Sequence, residues 1–162
     1  MELKTFVELK SEKLAEAQKQ EAGGSKAMAY IAMWSIVEKT LSELESERLE
    51  RKLKLELQKW TDFLEKKIGK PPQPIKGFKF ETDKLPNSNG VQILLGDAPA
   101  ICKLVQTQAK GKSSKYRDKR NAIAHSAEEF KDLSTFNEYK NVVMSAIEEL
   151  ELKLTLTEKD TQ

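Results

Sequence analysis

The fold is decided by the stretch KAMAYIAMWSIVEKTLSEL, residues 26–44. Large apolar side chains recur in it at steps of three and four residues: Ile31, Trp34, Val37, Leu41 and Leu44. These steps are the spacing of one face of an α-helix. Alanines between them keep the helix slim enough for close packing. The stretch therefore predicts an amphipathic helix at the centre of a helical core.

The same spacing continues to residue 68, beyond the length of an ordinary globular helix. Its apolar positions there are Leu53, Leu57, Trp60, Leu64 and Ile68, and they follow a charge-dense passage at residues 45–51. Two arrangements fit: a long helical arm that projects, or a kink near residues 45–50 that divides the pattern. We favour two helices or one very long bent helix, with Trp34 and Trp60 both in the core.

The N-terminal segment, residues 2–21, is rich in helix formers but has only a thin apolar stripe. Gly23-Gly24 then ends this helix, and Ser25 is placed to cap the next one. We expect an amphipathic strap that is loosely attached to the core.

The chain after residue 68 begins with a region of four prolines at residues 71–90, which predicts a long loop around residues 70–95. Its last residues, 91–95, suit a strand or the start of a helix. Asp97 is expected to cap a helix with Pro99 in its first turn, and Ser114 to cap one ending near His125. Residues 134–154 predict a strongly amphipathic final helix.

Composition supports the helical interpretation. The 162 residues are 7% aromatic, with seven glycines and five prolines, which favours helices over a many-stranded β fold. The fold class is therefore all-α, a bundle of four to five main helices. We expect an N-terminal helical extension at residues 1–24, a helical domain at 25–155 and a polar tail at 156–162.

The bulk properties also limit the function. Because the formal net charge is only +2, any attraction to nucleic acid must come from a local cluster of positive charges. One cysteine and one histidine argue against a disulfide or a zinc site, so no metal and no cofactor are expected. The first residues lack a signal-peptide pattern, and the apolar run 27–37 is shorter than the roughly 20 residues that span a bilayer. A cytoplasmic location without a membrane partner is expected.

The candidate site is the stretch KYRDKRNAIAH, residues 115–125, which ends on the chain's single histidine. Arg117, Asn121 and His125 are four residues apart and share one helix face, while Arg120 lies about 140° around the helix from His125. Histidine, with an ordinary pKa of roughly 6.5, suits proton transfer near neutral pH. Arg120 offers a permanent cation for phosphate. Asn121 is placed to orient the imidazole or to contact phosphate.

A local basic cluster precedes the histidine and is suited to binding RNA, with one aromatic ring for base stacking. Its members are Lys110, Lys112, Lys115, Tyr116, Arg117 and Lys119. A structural role remains open for the motif, since Arg120 can pair with a nearby carboxylate and the Arg–His spacing alone is a weak signal.

The hexapeptide RNAIAH, residues 120–125, resembles the signature of the HEPN superfamily, in which an Arg followed by a polar residue precedes a His. Residues 29–44, with Trp34 and Glu38, are similar to the early HEPN helix. The resemblance implies a HEPN-like bundle and a metal-independent endoribonuclease, often a toxin or phage-defence effector, with two motifs facing each other across a homodimer. It implies that Arg120 and His125 are catalytic, with Asn121 as their companion and Glu38 as a possible auxiliary residue.

The partner expectations follow from the same site. Catalysis by two histidines cannot be assembled within one chain, because each chain has a single histidine, but a two-fold homodimer supplies a second imidazole. RNA is the expected substrate, and a nucleotidyltransferase-like antitoxin is a possible partner. The alternative function is a non-catalytic helical module that binds proteins or nucleotides.

Overall fold

The computed structural model describes residues 1–69, 85–106 and 112–159. Within these ranges the chain forms six helices and no strand: α1 (Leu3–Ala22), α2 (Lys26–Ile68), α3 (Ser88–Leu95), α4 (Pro99–Val105), α5 (Lys115–Ser126) and α6 (Leu133–Lys159). The all-α class is confirmed. The expected count of four to five main helices is not confirmed; residues 88–95, at the end of the expected long loop, form the short helix α3, in line with the helix start considered for residues 91–95. Residues 70–84 lie outside the described residues.

Helix α2 runs unbroken for 43 residues. The division expected near residues 45–50 is therefore wrong, and the long-arm alternative describes the chain. The charge-dense passage supports the helix because Arg48 donates to Glu45 at 2.6 Å, one turn apart. Gly69, with φ 72°, ends α2 in a left-handed conformation, and its N–H donates to the Glu65 carbonyl at 2.8 Å.

The core lies around the first half of α2. Its largest fully buried side chains come from α1, α2 and α6, namely Phe6, Tyr30, Trp34 and Phe136. Trp34 is confirmed as a core residue, whereas the same expectation for Trp60 is wrong because 62% of its surface is exposed. Full burial on α2 ends at Leu41, and the helix continues past the core as an exposed arm.

Helix α1 belongs to this core, so the expected loose attachment is wrong. Its apolar stripe is thin, but Phe6 is fully buried. Ion pairs also join α1 to α6, with Lys10 and Glu151 at 2.6 Å and Glu21 and Lys140 at 2.5 Å. Helix α6 extends to Lys159, four residues into the expected polar tail.

The N-cap residues predicted from the sequence are confirmed in part. Ser114 caps α5 as expected, while Ser25 occupies the N-cap position of α2 without a side-chain bond. Asp97 does not cap α4. Glu149 of α6 takes that role instead, accepting from the Ile101 N–H at 2.9 Å. None of the described helices combines the length and apolar character needed to cross a membrane.

Candidate functional site

The motif lies on α5, which is fixed at its start and along its inner face. Ser114 accepts from the Arg117 N–H at 3.1 Å and donates to the Leu104 carbonyl of α4. The Tyr30 hydroxyl donates to the Tyr116 carbonyl at 2.9 Å, and Ile123 is buried. This anchoring turns the opposite face of α5 toward solvent.

The structure brings together Glu38, Arg120 and Asn121. Arg120 Nη2 donates to Glu38 Oε2 at 2.7 Å, and Nη1 donates to Asn121 Oδ1 at 3.2 Å. The two charged side chains are 26% and 24% exposed. Among the described residues the buried Nε of Arg120 has no acceptor. The guanidinium is therefore held between α2 and α5, with part of its surface still reaching solvent.

Two further predicted residues lie on the outward face of α5. His125 is exposed in the last helical turn, and Arg117 is half-buried four residues before Asn121. Ala127, with φ 49°, ends α5 directly afterwards. Arg117, Asn121 and His125 thus form an outward row next to the anchored Arg120.

The predicted RNA-binding lysines of α5 have protein partners. Lys115 pairs with Glu138 at 2.6 Å, and this hydrogen bond raises the pKa of Lys115. Lys119 pairs with Glu128 at 2.5 Å and lies 4.7 Å from the centre of the Phe130 ring. Both lysines therefore fasten α5 to the segment that leads into α6 and to α6 itself.

The remaining members of the basic cluster differ in how exposed they are. Tyr116 is 6% exposed and packs edge-on against Tyr139, with ring centres 4.9 Å apart. A ring buried in this way does not present an open face for a base to stack on. Lys112 is exposed. Lys110 lies outside the described residues.

A cavity of about 600 Å³ at the start of α5 was missed by the sequence reasoning. It is lined by Ser88, Pro99, Cys102, Lys103, Gln106, Ser114, Lys115 and Tyr116. Burial raises the pKa of the Cys102 thiol. Because the lining residues come from α3, α4 and α5, no single stretch of sequence could predict the cavity.

Within the part of the chain that the structure describes, no group of three or more His, Cys, Asp or Glu side chains is arranged to hold a metal ion. Comparison of the chain with models of protein families, with curated proteins and with solved structures finds no match. The function must therefore be argued from the geometry of the site itself.

Proposed function

We propose that the protein is a metal-independent endoribonuclease of the HEPN type, which cleaves RNA at a site composed from two copies of the chain. The observation that supports this proposal is the outward row of Arg117, Asn121 and His125 beside the anchored Arg120. The row combines a cation, an amide and an imidazole, which are groups suited to phosphate binding and proton transfer.

The proposed reaction moves two protons. One imidazole removes the proton from a ribose 2′-hydroxyl, whose oxygen attacks the adjacent phosphorus. The bond from phosphorus to the 5′-oxygen breaks, and a second, protonated imidazole gives its proton to that oxygen. Arg120 stabilises the negative charge that develops on the phosphoryl oxygens, and Arg117 binds a neighbouring phosphate.

The proposed mechanism uses two imidazoles, and this is the reason for proposing a homodimer. His125 is the sole histidine of each chain, so two imidazoles at one site need two chains. We further propose that the enzyme acts in the cytoplasm as a toxin or a phage-defence effector. A nucleotidyltransferase-like antitoxin would then cover the outward face of α5 until cleavage is required.

The test is RNA cleavage in the presence of EDTA. The unaltered protein should cut a long single-stranded RNA, and His125→Ala and Arg120→Ala should each lower the rate by about 100-fold or more. Arg51→Ala is the control, because it removes an exposed arginine from the arm of α2. Full activity of either site variant, with circular dichroism showing a native fold, would contradict the proposal.

A non-catalytic interaction module is the second candidate function. It is favoured by the Glu38–Arg120 ion pair, since an arginine engaged with a carboxylate at 2.7 Å can serve purely to join α2 to α5. The same assay separates the two functions. No cleavage of any tested RNA, with or without added divalent metal, would favour the module.

A further inference from the structure

The outward face of α2 carries almost no charge. At roughly 100° per residue, nine residues between positions 26 and 68 fall within a sector of about 60°. We define the outward face by these residues: Met28, Ser35, Lys39, Ser42, Ser46, Leu53, Leu57, Trp60 and Leu64. Lys39 is the single charged residue among the nine, whereas 16 of the other 34 positions of α2 are charged.

This face is accessible along its whole length. None of its nine residues is buried, and Met28 and Trp60 are 47% and 62% exposed. A solvated helix face normally carries charges, so a long accessible face without them indicates a contact surface. The opposite side of the same helix is different. Leu55 lies there, about 160° around from Leu53, and its neighbours are charged.

The outward face runs beside the candidate site. Glu38 lies about 70° from the centre of the face, on the side where α2 meets α5 through the Glu38–Arg120 pair. On the other side of α2, Glu47 is paired with the amino group of Met1, just before α1. The face is thus open between α1 and α5.

We propose that a second copy of the chain docks on the outward face of α2, so that the two α2 helices pack against each other. The choice of a second copy rests in part on the proposed nuclease, which is incomplete without one. The face itself also favours a second copy as the partner. In a two-fold interface the same surface of both copies meets, so every charge on that surface faces or lies near a like charge. A nearly uncharged face avoids that repulsion.

The size of the face is also sufficient. From Met28 to Leu64 it extends about 54 Å, and a helix contact strip is about 10 Å wide. Each copy would bury roughly 500 Å², which gives a total of roughly 1,000 Å² before the flanking side chains are included. That total is at the lower limit of specific protein interfaces.

The first test is the mass of the protein in solution, measured by analytical ultracentrifugation across a range of concentrations. The full chain should dimerise, and Leu57→Glu should raise the dissociation constant at least about tenfold. Leu55→Glu is the matched control, the same change two residues away on the opposite side of the arm, and should leave the constant unchanged. A monomer at all concentrations, or equal effects of the two variants, would overturn the proposal.

A second test maps the contact and does not depend on the Leu57 variant folding. In a Cys102→Ser background, single cysteines replace Met28, Ser35, Ser42, Ser46, Leu53 or Trp60, and a bismaleimide reagent is added. Crosslinked dimers at one or more of these positions, and none for Leu55→Cys, are expected. A dimer that is crosslinked at none of them uses another face, and the proposal fails.

These readouts are independent of RNA cleavage. A dimer through α2 that cuts no RNA contradicts the proposed nuclease alone. Cleavage by a protein that dimerises through another face contradicts the α2 interface alone.

Discussion

Arg120 is held by two acceptors, the carboxylate of Glu38 and the amide oxygen of Asn121. If this arrangement positions the guanidinium for phosphate, removal of Glu38 should slow cleavage while RNA binding changes little. We expect Glu38→Ala to lower kcat by about tenfold, and Glu38→Gln to lower it less because its amide oxygen still accepts a hydrogen bond.

The control for this change is Glu45→Ala, which removes a carboxylate that is also paired with an arginine on α2. It should leave kcat unchanged, since Glu45 pairs with Arg48 of its own helix. Single-turnover kinetics at saturating RNA separate the effect on kcat from an effect on binding. Equal losses in the Glu38 and Glu45 variants would show a general effect on α2 instead of a local one on Arg120.

At the residue scale, the sequence could suggest candidate site residues but not the partners that surround them. Arg120, Asn121 and Glu38 were selected from the sequence, and the structure brings them together. The partners of Lys115 and Lys119 could not be predicted, because Glu138 and Glu128 belong to a later element whose packing is set by tertiary contacts. For the same reason the burial of Tyr116 depends on Tyr139, which lies 23 residues further along the chain.

At the scale of the element, the start of α5 depends on Ser114. Its hydroxyl caps the helix and also bonds the Leu104 carbonyl of α4. Ser114→Ala should lower the free energy of unfolding by about 1 kcal/mol, measured by urea denaturation. Ser145→Ala is the control, since that hydroxyl is exposed and bonds only the Asn141 carbonyl of its own helix. A stability loss of equal size in both variants would argue against the cap.

The start of α6 gives a pH-dependent prediction. Hydrogen bonds from the Thr135 N–H and hydroxyl lower the pKa of Asp132. A carboxyl with a lowered pKa stabilises the fold above its unfolded pKa of about 3.9, and this contribution is lost as the pH falls through the folded value. Asp132→Asn should therefore weaken the fall in stability below about pH 4. An unchanged pH dependence in urea denaturation would contradict this role.

Helix α2 shows what periodicity can and cannot predict. Leu41 and Leu57 each belong to a run of apolar side chains at steps of three and four, yet Leu41 is buried and Leu57 lies on an accessible face. Leu57 comes 16 residues after Leu41, which places it about 160° around the helix, and the steps of three and four within each run do not reveal this change of direction between the runs. This is why Trp60 was assigned to the core, and why the continuity of α2 through residues 45–51 remained open.

At the scale of the whole molecule, two surfaces of one bundle are proposed to act together. In this proposal the outward row of α5 would supply the chemical groups, and the outward face of α2 would supply the contact with a second copy. The Glu38–Arg120 pair joins the two helices at 2.7 Å. The all-α class could be predicted from composition and spacing, whereas the relation between these two surfaces required the packing of α5 on α2.

The most direct measurement of the central claim is the RNA cleavage rate of mixed dimers. The unaltered protein and His125→Ala are unfolded together in equal amounts and refolded, so that the chains pair at random. If each site needs an imidazole from both chains, about one quarter of the activity of the same total amount of unaltered protein should remain. If about half remains, each chain acts alone, and the composite site is contradicted.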